Sequence, residues 1–203
     1  MKRDDSFAGL DKKEQKKEAI LKIAQDVFSK NGYRKTTIDE IATATKKGKS
    51  SLYYYFSSKE ELFNEVILWE VELLKNELTR VINRNITPVE KLREYIITKL
   101  MTFRSLSNLY NTLGKDEPAK EFIDQIMGKY YKEEIRMIKR ILIEGVRQGE
   151  FEVYDFSLAA TGITTAIKGL EIPLSAGSYG HANLSESVDN IIKIICYGIV
   201  KRQ

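Results

Sequence analysis

Helix start signals recur along this 203-residue chain, and each precedes apolar residues at helical spacing. Thr37 is followed three residues later by Glu40, and Thr87 by a proline and then Glu90, which are patterns typical of helix N-termini. Asn31-Gly32 is the one pair typical of hairpin turns, and it follows a helical pattern instead of separating alternating strands. The sequence therefore predicts an all-α fold of about nine helices.

Three helices are predicted in the first 57 residues. The first begins near Asp11 and ends at Asn31-Gly32, because glycine readily takes the left-handed conformation that stops a helix. The second follows Thr37 as its N-cap, and the third covers residues 49–56. These lengths predict a small three-helix unit at the N-terminus.

The remaining helices are longer. The fourth is predicted from about residue 58 to residue 84, with Ser57 or Ser58 as its N-cap. Its predicted apolar stripe is Leu62, Val66, Trp69 and Leu73. Later start and stop signals are Asp116 and Pro118 for a short helix, Gly149 for the end of a long one, and Asp155 and Pro173 for the two ends of the next.

The net charge of +4 is unevenly distributed along the chain. Residues 1–60 hold 14 Lys/Arg against 9 Asp/Glu, whereas residues 61–203 hold 19 against 20. No acidic residue occurs between positions 41 and 59. This asymmetry is typical of a small anion-binding unit on a neutral body.

The basic region contains the sequence KKGKSSLYYYFSSKEELF at positions 46–63. If residues 49–56 form a helix, Leu52 and Phe56 lie on its buried side. The side chains pointing away from the core are then Ser50, Ser51, Tyr53 and Tyr54, with Lys49 and Tyr55 at the margins. Small serines let a helix enter the major groove, while tyrosine rings contact thymine methyl groups and their hydroxyls reach phosphates. The pattern therefore predicts a DNA-binding face.

A simpler interpretation of the same stretch stays open. The tyrosines could pack against neighbouring helices and the lysines could simply be solvated, since a helix this short is hard to orient from its sequence. Lys59 favours the DNA interpretation, because it lies in the first turn of the fourth helix, where backbone N–H groups and the helix dipole attract a phosphate.

The segment from Phe28 to Ile67 resembles the N-terminal domain of the TetR family of bacterial transcription regulators. The resemblance is carried by Phe28, Gly32, Tyr33, Thr36, Thr37, Ile41, Ala42, Ser51, Leu52, Tyr53, Tyr55, Phe56, Ser58, Lys59 and Leu62. In that family a three-helix head carries a helix-turn-helix, and an all-helical C-terminal domain binds a ligand and dimerises. The resemblance implies a DNA-binding domain at residues 1–57, with residues 1–10 mobile, and a ligand-binding and dimerisation domain at residues 58–203.

The resemblance also implies roles for individual residues. Thr37 would contact a phosphate at the start of the second helix, and Lys59 would clamp the DNA backbone. Tyr55 stands where the family often has a histidine near phosphate. The implied contacts from the recognition helix are Lys49, Ser50, Ser51, Tyr53 and Tyr54.

The turn between the second and third helices departs from the family pattern. The family usually has glycine at the place of Lys46, an apolar residue at Lys47 and often serine at Gly48. A left-handed residue at Lys46 would cost about 1 kcal/mol relative to glycine. Lys47 can pack its stem inward and direct its ammonium to solvent. We therefore expect this turn to exchange stability for positive charge beside the DNA backbone.

Two sets of residues are candidates for function in the C-terminal part. An aromatic set could line a pocket for an apolar or aromatic ligand, although its spacing is equally typical of a core: Tyr95, Phe103, Tyr110, Phe122, Tyr130 and Tyr131. A helix rich in small residues and a helix rich in isoleucine are typical of a four-helix dimer interface. The predicted interface residues are Ala159, Gly162, Ala166, Ile191, Ile192, Ile195 and Ile199.

Other classes of function find little support. Cys196 is the only cysteine, which excludes an internal disulfide and suits a reducing cytoplasm. The N-terminus has no apolar stretch of signal-peptide length, and no apolar stretch is long enough to span a bilayer. His181, the only histidine, lies in a Gly/Ser-rich loop, so we expect no catalysis, no metal and no cofactor.

The sequence therefore predicts a cytoplasmic transcriptional regulator and not an enzyme. We expect a repressor that binds a palindromic double-stranded operator as a homodimer and is released by a small molecule, without contacting a membrane. The alternative is a structural, nucleoid-like DNA-binding protein without a ligand, whose binding would depend steeply on salt and show no sequence preference.

Overall fold

The computed structural model describes residues 12–106, 108, 120–175 and 184–197, and the regular secondary structure within these ranges is entirely helical. The eight helices are α1 (Lys12–Asn31), α2 (Ile38–Ala44), α3 (Lys49–Tyr53), α4 (Lys59–Ile82), α5 (Pro88–Ser105), α6 (Lys120–Arg147), α7 (Phe156–Ser175) and α8 (Leu184–Tyr197). The predicted all-α class is confirmed. The predicted short helix at Asp116 and Pro118, like Asp11 and His181, lies outside the described residues. None of the described helices is long and apolar enough to cross a membrane.

The helix boundaries follow the predicted capping signals. Thr37 and Thr87 each accept a hydrogen bond from the backbone N–H of the glutamate three residues on, and that glutamate accepts one in return. The Ser58 side chain likewise accepts a hydrogen bond from the backbone N–H of the residue three positions on, Glu61, and so caps the start of α4. Gly32 and Gly149 both have φ 77°, the left-handed conformation that follows a helix end. The predicted start and stop signals are confirmed at these positions.

Two predicted helix ends are wrong. α3 ends at Tyr53 instead of residue 56, and the chain continues in a turn in which Phe56 is still buried, with 2% of its surface exposed. α7 continues through Pro173 and ends at Ser175. A proline removes one backbone donor and crowds the carbonyl four residues before it, so it disfavours a helix without always ending it.

The predicted stripe of α4 is wrong at Leu73, which is exposed. The buried positions of α4 instead follow Val66, Glu70, Leu74 and Leu78, a spacing of four residues. A buried glutamate in this row could not be recognised from hydropathy, which assigns glutamate to the surface.

α4 is the central element of the fold. It packs against α1 near its start and against α5 and α6 further along, while α6 packs on α7 and α5 on α8. We call α1–α3 with the first turns of α4 the head, and α5–α8 the body. One cluster of buried apolar side chains runs through both.

Two buried lysines join α5 to α6 inside the body. Lys91 is 4% exposed, and its Nζ lies 2.7 Å from the Glu144 carboxylate. Lys99, which is 1% exposed, is paired with Glu134, and the Tyr95 hydroxyl donates to the same carboxylate at 3.4 Å. Buried charges are costly unless they are paired, so these pairs hold α5 and α6 in one register.

Candidate nucleic-acid interface

α2 and α3 form a helix-turn-helix whose turn is built from local hydrogen bonds. Thr45 caps the end of α2, and Lys47 N–H donates to the carbonyl of Ala42 at 3.0 Å. Lys46 has φ 54°, a left-handed conformation in which glycine is favoured by about 1 kcal/mol. Gly48 is the N-cap of α3, with extended backbone and no side-chain acceptor. Lys46, which stands where the family usually has glycine, is therefore the left-handed residue of this turn.

The two faces of α3 differ in their exposure to solvent. Leu52 is 1% exposed and anchors the helix to the head. On the opposite side, Tyr53 and Tyr54 are 50% and 67% exposed. Ser50 and Lys49 are also exposed, and the hydroxyl-bearing Ser51 and the ring of Tyr55 are half-buried. Two large aromatic rings held in solvent beside small polar residues match the surface that the sequence predicts for contact with DNA.

Tyr55 lies at the edge of this face. Its ring packs edge-on against Tyr54 at 5.0 Å and is tilted against Phe56 at 6.4 Å. The ring also packs against the buried apolar cluster. Tyr55 therefore links the exposed Tyr54 ring to the buried apolar cluster.

Two predicted contact residues already have partners. The Lys49 ammonium lies 2.7 Å from the Asp39 carboxylate, and both side chains are exposed. Thr37 uses its hydroxyl and its backbone N–H in the capping box with Glu40. Exposed ion pairs contribute little to stability, so a phosphate could replace Asp39 as the partner of Lys49 at small cost. The predicted contacts of both residues stay predictions.

The Lys59 side chain is half-buried, and its ammonium group forms hydrogen bonds within the protein. Its Nζ donates to the carbonyls of Tyr33 and Thr36, both at 3.0 Å, and lies 4.5 Å from the centre of the Tyr33 ring. These contacts tie the start of α4 to the segment between α1 and α2. A backbone contact to DNA by Lys59 remains a prediction, but the geometry gives this residue a structural bond to the head.

Lys13 belongs to the candidate surface although sequence reasoning did not select it. Its Nζ lies 5.3 Å from the centre of the Tyr54 ring, which brings the start of α1 to the end of α3. The neighbouring Lys17 lies over the Phe56 ring at 5.6 Å and is paired with Glu65. Lysines at positions 12, 13, 16 and 17 recur at helical spacing, and that pattern was the available signal.

The predicted aromatic ligand residues differ in burial, and their role in a ligand pocket stays a prediction. Tyr95, Phe103 and Tyr130 are almost fully buried in the core of the body. Tyr131 shares a hydrogen bond of 2.7 Å with Thr165, Phe122 is half-buried beside α4, and Tyr110 lies outside the described residues. This burial is compatible with both interpretations of the sequence, a ligand pocket and an ordinary core.

A cleft of about 890 Å³ lies elsewhere, at the end of the body distant from α3. Apolar side chains from α5, α6, α7 and α8 line it, among them Leu92, Leu142, Ile163 and Ile195. The loop that follows Gly149 forms its other wall. Phe151 in this loop packs directly on Gly145, where an added Cβ would overlap its ring at 2.0 Å.

The predicted interface residues differ in their exposure. Gly162 and Ala166 are exposed on α7, while Ala159, Ile191 and Ile195 are half-buried. Ile192 is 6% exposed within one chain, so it belongs to the core of the body and not to a surface that could bind a second copy. Ile199 lies outside the described residues. Among the side chains of these helices that the structure describes, Leu158 and Ile194 are large, apolar and exposed, at 71% and 55%.

An all-α fold with a helix-turn-helix head and an exposed tyrosine-bearing second helix defines the class of helix-turn-helix DNA-binding regulators. Residues 20–66 match the model of the tetR family of bacterial regulatory proteins. QacR, an HTH-type transcriptional regulator of Staphylococcus aureus, is 29% identical over 165 residues, which cover 76% of this chain and 83% of QacR. Residues 20–66 therefore form a tetR-family domain, and the chain is similar to HTH-type transcriptional regulators over most of its length.

Solved structures agree over nearly the whole chain. A regulator of the TetR/AcrR family from Thermobifida fusca superimposes with a TM-score of 0.70 and 25% identity, covering 92% of this chain and 100% of that one. FadR from Bacillus subtilis, solved in complex with stearoyl-CoA, has a TM-score of 0.69 and 21% identity, covering 90% and 99%. The second likeness concerns the fold alone.

Proposed function

We propose that this regulator is a repressor that binds a palindromic operator as a homodimer and is released when a small molecule binds the body. The observation that carries the DNA-binding part is the exposed face of α3, where Tyr53 and Tyr54 are 50% and 67% exposed beside Ser50 and Lys49. Adjacent exposed aromatic rings form an apolar patch, and contiguous patches of this kind mark interaction sites.

The homodimer is supported by the outer surfaces of α7 and α8. Leu158 and Ile194 are exposed apolar residues on these helices, and the small residues Gly162 and Ala166 lie exposed on α7. Small side chains allow helices from two copies to approach closely, and Leu158 and Ile194 supply apolar area. We propose that α7 and α8 of two copies pair into a four-helix interface.

The ligand is proposed to be an apolar small molecule. FadR binds stearoyl-CoA according to its structure. In this chain the apolar residues Leu92 and Ile163 of the cleft suit an acyl chain, whereas Glu150, Glu152 and Asp155 in the same lining disfavour an anionic head group. Molecules with an apolar chain are therefore the first class to test. A ligand releases DNA only if it favours one arrangement of the heads over the other.

The two heads must present their α3 helices about 34 Å apart to read half-sites one turn of B-DNA apart. α4 runs from the head into the body, so a ligand that shifts α4 changes this distance. Release then needs no direct contact between ligand and DNA.

Selection of bound DNA from a random pool tests this function. The parent is expected to enrich a palindromic consensus, whereas Tyr53→Ala, which removes one exposed ring, is expected to enrich it weakly or not at all. Retention of DNA with no enriched sequence would contradict the proposal and would favour a nucleoid-like protein, as would a steep salt dependence shared by all sequences.

A further inference from the structure

A buried hydrogen-bonded cluster lies where the head meets the body. Glu70, in the middle of α4, has none of its surface exposed. Its Oε1 accepts a hydrogen bond of 2.9 Å from Nε2 of Gln25 in α1 and another of 2.9 Å from Nδ2 of Asn108, which follows α5. The same Asn108 amide donates to the backbone carbonyl of Gln25 at 3.0 Å. Three separate elements therefore converge on one carboxylate.

A carboxylate is an expensive choice at this position. Its neighbours in the buried row of α4, Val66 and Leu74, are apolar, and an apolar residue at position 70 would extend the same core. Burial of a charged group costs free energy unless hydrogen bonds compensate it. Directional bonds also specify one arrangement of the groups they join, whereas apolar contacts allow small displacements.

We propose that Glu70 is a positioning residue that fixes the angle between head and body and thereby sets the half-site spacing that the dimer accepts. The inference rests on the proposed function, because only a dimer that reads two half-sites has a spacing to set. Gln25 belongs to the head, Asn108 follows the first helix of the body, and α4 passes through both. A tilt of the head about Glu70 displaces α3 along the DNA.

The chain contains a matched control for this cluster. Lys17 in α1 is bonded to Glu65 in α4 at 2.7 Å, so it also joins α1 to α4 by a polar contact. Both of its ends lie in the head, and neither reaches the body. Lys17→Met therefore weakens the attachment of α1 without releasing the head from Asn108.

The test uses full-length protein and the operator obtained by selection. Affinity is measured for that operator, for versions with one base pair inserted or removed between the half-sites, and for a single half-site. Glu70→Met and Gln25→Met are expected to reduce the preference for the native spacing by roughly tenfold, the size of a coupling between residues in one network. Their affinity for a single half-site is expected to equal that of the parent.

The conservative variant Glu70→Gln keeps an oxygen acceptor and is expected to retain most of the preference, as is Lys17→Met. If Glu70→Met does not fold, Gln25→Met decides the test, since Gln25 is only half-buried. An unchanged spacing preference in Gln25→Met would overturn the inference, and so would an equal loss of preference in Lys17→Met. A parent that shows no spacing preference contradicts the proposed dimer itself, before any variant is compared.

Discussion

The head and the body differ in how their residues obtain their positions. In the head, short-range signals set each element: the capping box of Thr37, the left-handed turns at Gly32 and Lys46, and the cap at Ser58. In the body, position depends on contacts between residues far apart in sequence, such as Lys99 with Glu134. Local signals of this kind can be recognised in the sequence, whereas long-range pairing cannot. Substitutions in the head and in the body test these two kinds of contact separately.

The largest expected effect comes from the surface of the body. Ile194→Glu places a charge on an exposed apolar residue of α8, so it is expected to separate the dimer while leaving the fold intact. Losing the link between two heads weakens operator binding by about 10²–10⁴-fold. Sedimentation combined with circular dichroism measures both properties.

Ile192→Glu is the matched variant in the core, because Ile192 is 6% exposed within one chain. It is expected to unfold the body instead of producing a folded monomer. A folded dimeric Ile194→Glu protein would show that the interface lies elsewhere.

The second effect concerns the buried pairs of the body. Lys99→Met leaves the Glu134 carboxylate without this buried partner, and losing one member of such a pair costs about 3–5 kcal/mol. Urea unfolding measures the change. The double variant Lys99→Met with Glu134→Leu is expected to recover most of the loss, and a double variant as unstable as the single one would contradict this assignment.

The third effect separates a bond within the head from a contact with DNA. Lys59→Met removes the two hydrogen bonds to Tyr33 and Thr36 and is expected to destabilise the head by about 1–2 kcal/mol. If Lys59 acts through this bond, the dependence of operator affinity on salt stays that of the parent.

Lys47→Met is the comparison, because Lys47 is proposed to place its charge beside the DNA backbone. It is expected to lower the slope of log affinity against log salt by about 0.9, the value for one phosphate contact. A reduced slope in Lys59→Met would restore Lys59 as a backbone clamp.

The smallest effect is the pH dependence of the tie between α5 and α8. Arg93 lowers the pKa of Asp189 from its ordinary value of 3.8, chiefly by a side-chain hydrogen bond. A carboxyl group with a lowered pKa stabilises the fold above its unfolded pKa and loses that contribution as pH falls through the folded pKa. Asp189→Asn is thus expected to be less stable than the parent at neutral pH and equally stable in strong acid. A difference in urea midpoints that stays constant from neutral to acidic pH would contradict this.

Sequence reasoning predicted the elements of the head more closely than those of the body. The exposed side of α3 could be deduced because Leu52 and Phe56 are the large apolar anchors, and their burial directs Tyr53 and Tyr54 outward. The predicted end of α3 is three residues too late because a continued helix and the observed turn both bury Phe56, so the apolar pattern does not distinguish them.

The body was predicted less well because apolar patterns do not distinguish a core from a pocket or an interface. Tyr95 and Tyr130 have a spacing typical of pocket-lining and of core residues alike, and both are buried. Positions 192 and 194 both hold isoleucine, but only Ile194 is exposed. The buried role of Glu70 depends on Gln25 and Asn108, which are 45 and 38 residues away, and no local pattern reports such a partnership.

The central claim is that the exposed face of α3 reads DNA sequence, and the affinity ratio of operator to random DNA in Tyr53 variants tests it most directly. Tyr53→Ala is expected to lower this ratio by about 1–3 kcal/mol while changing affinity for random DNA little. Tyr53→Phe, which keeps the ring, is expected to retain most of the ratio. A Tyr53→Ala protein that is folded, dimeric and as selective as the parent would contradict the claim.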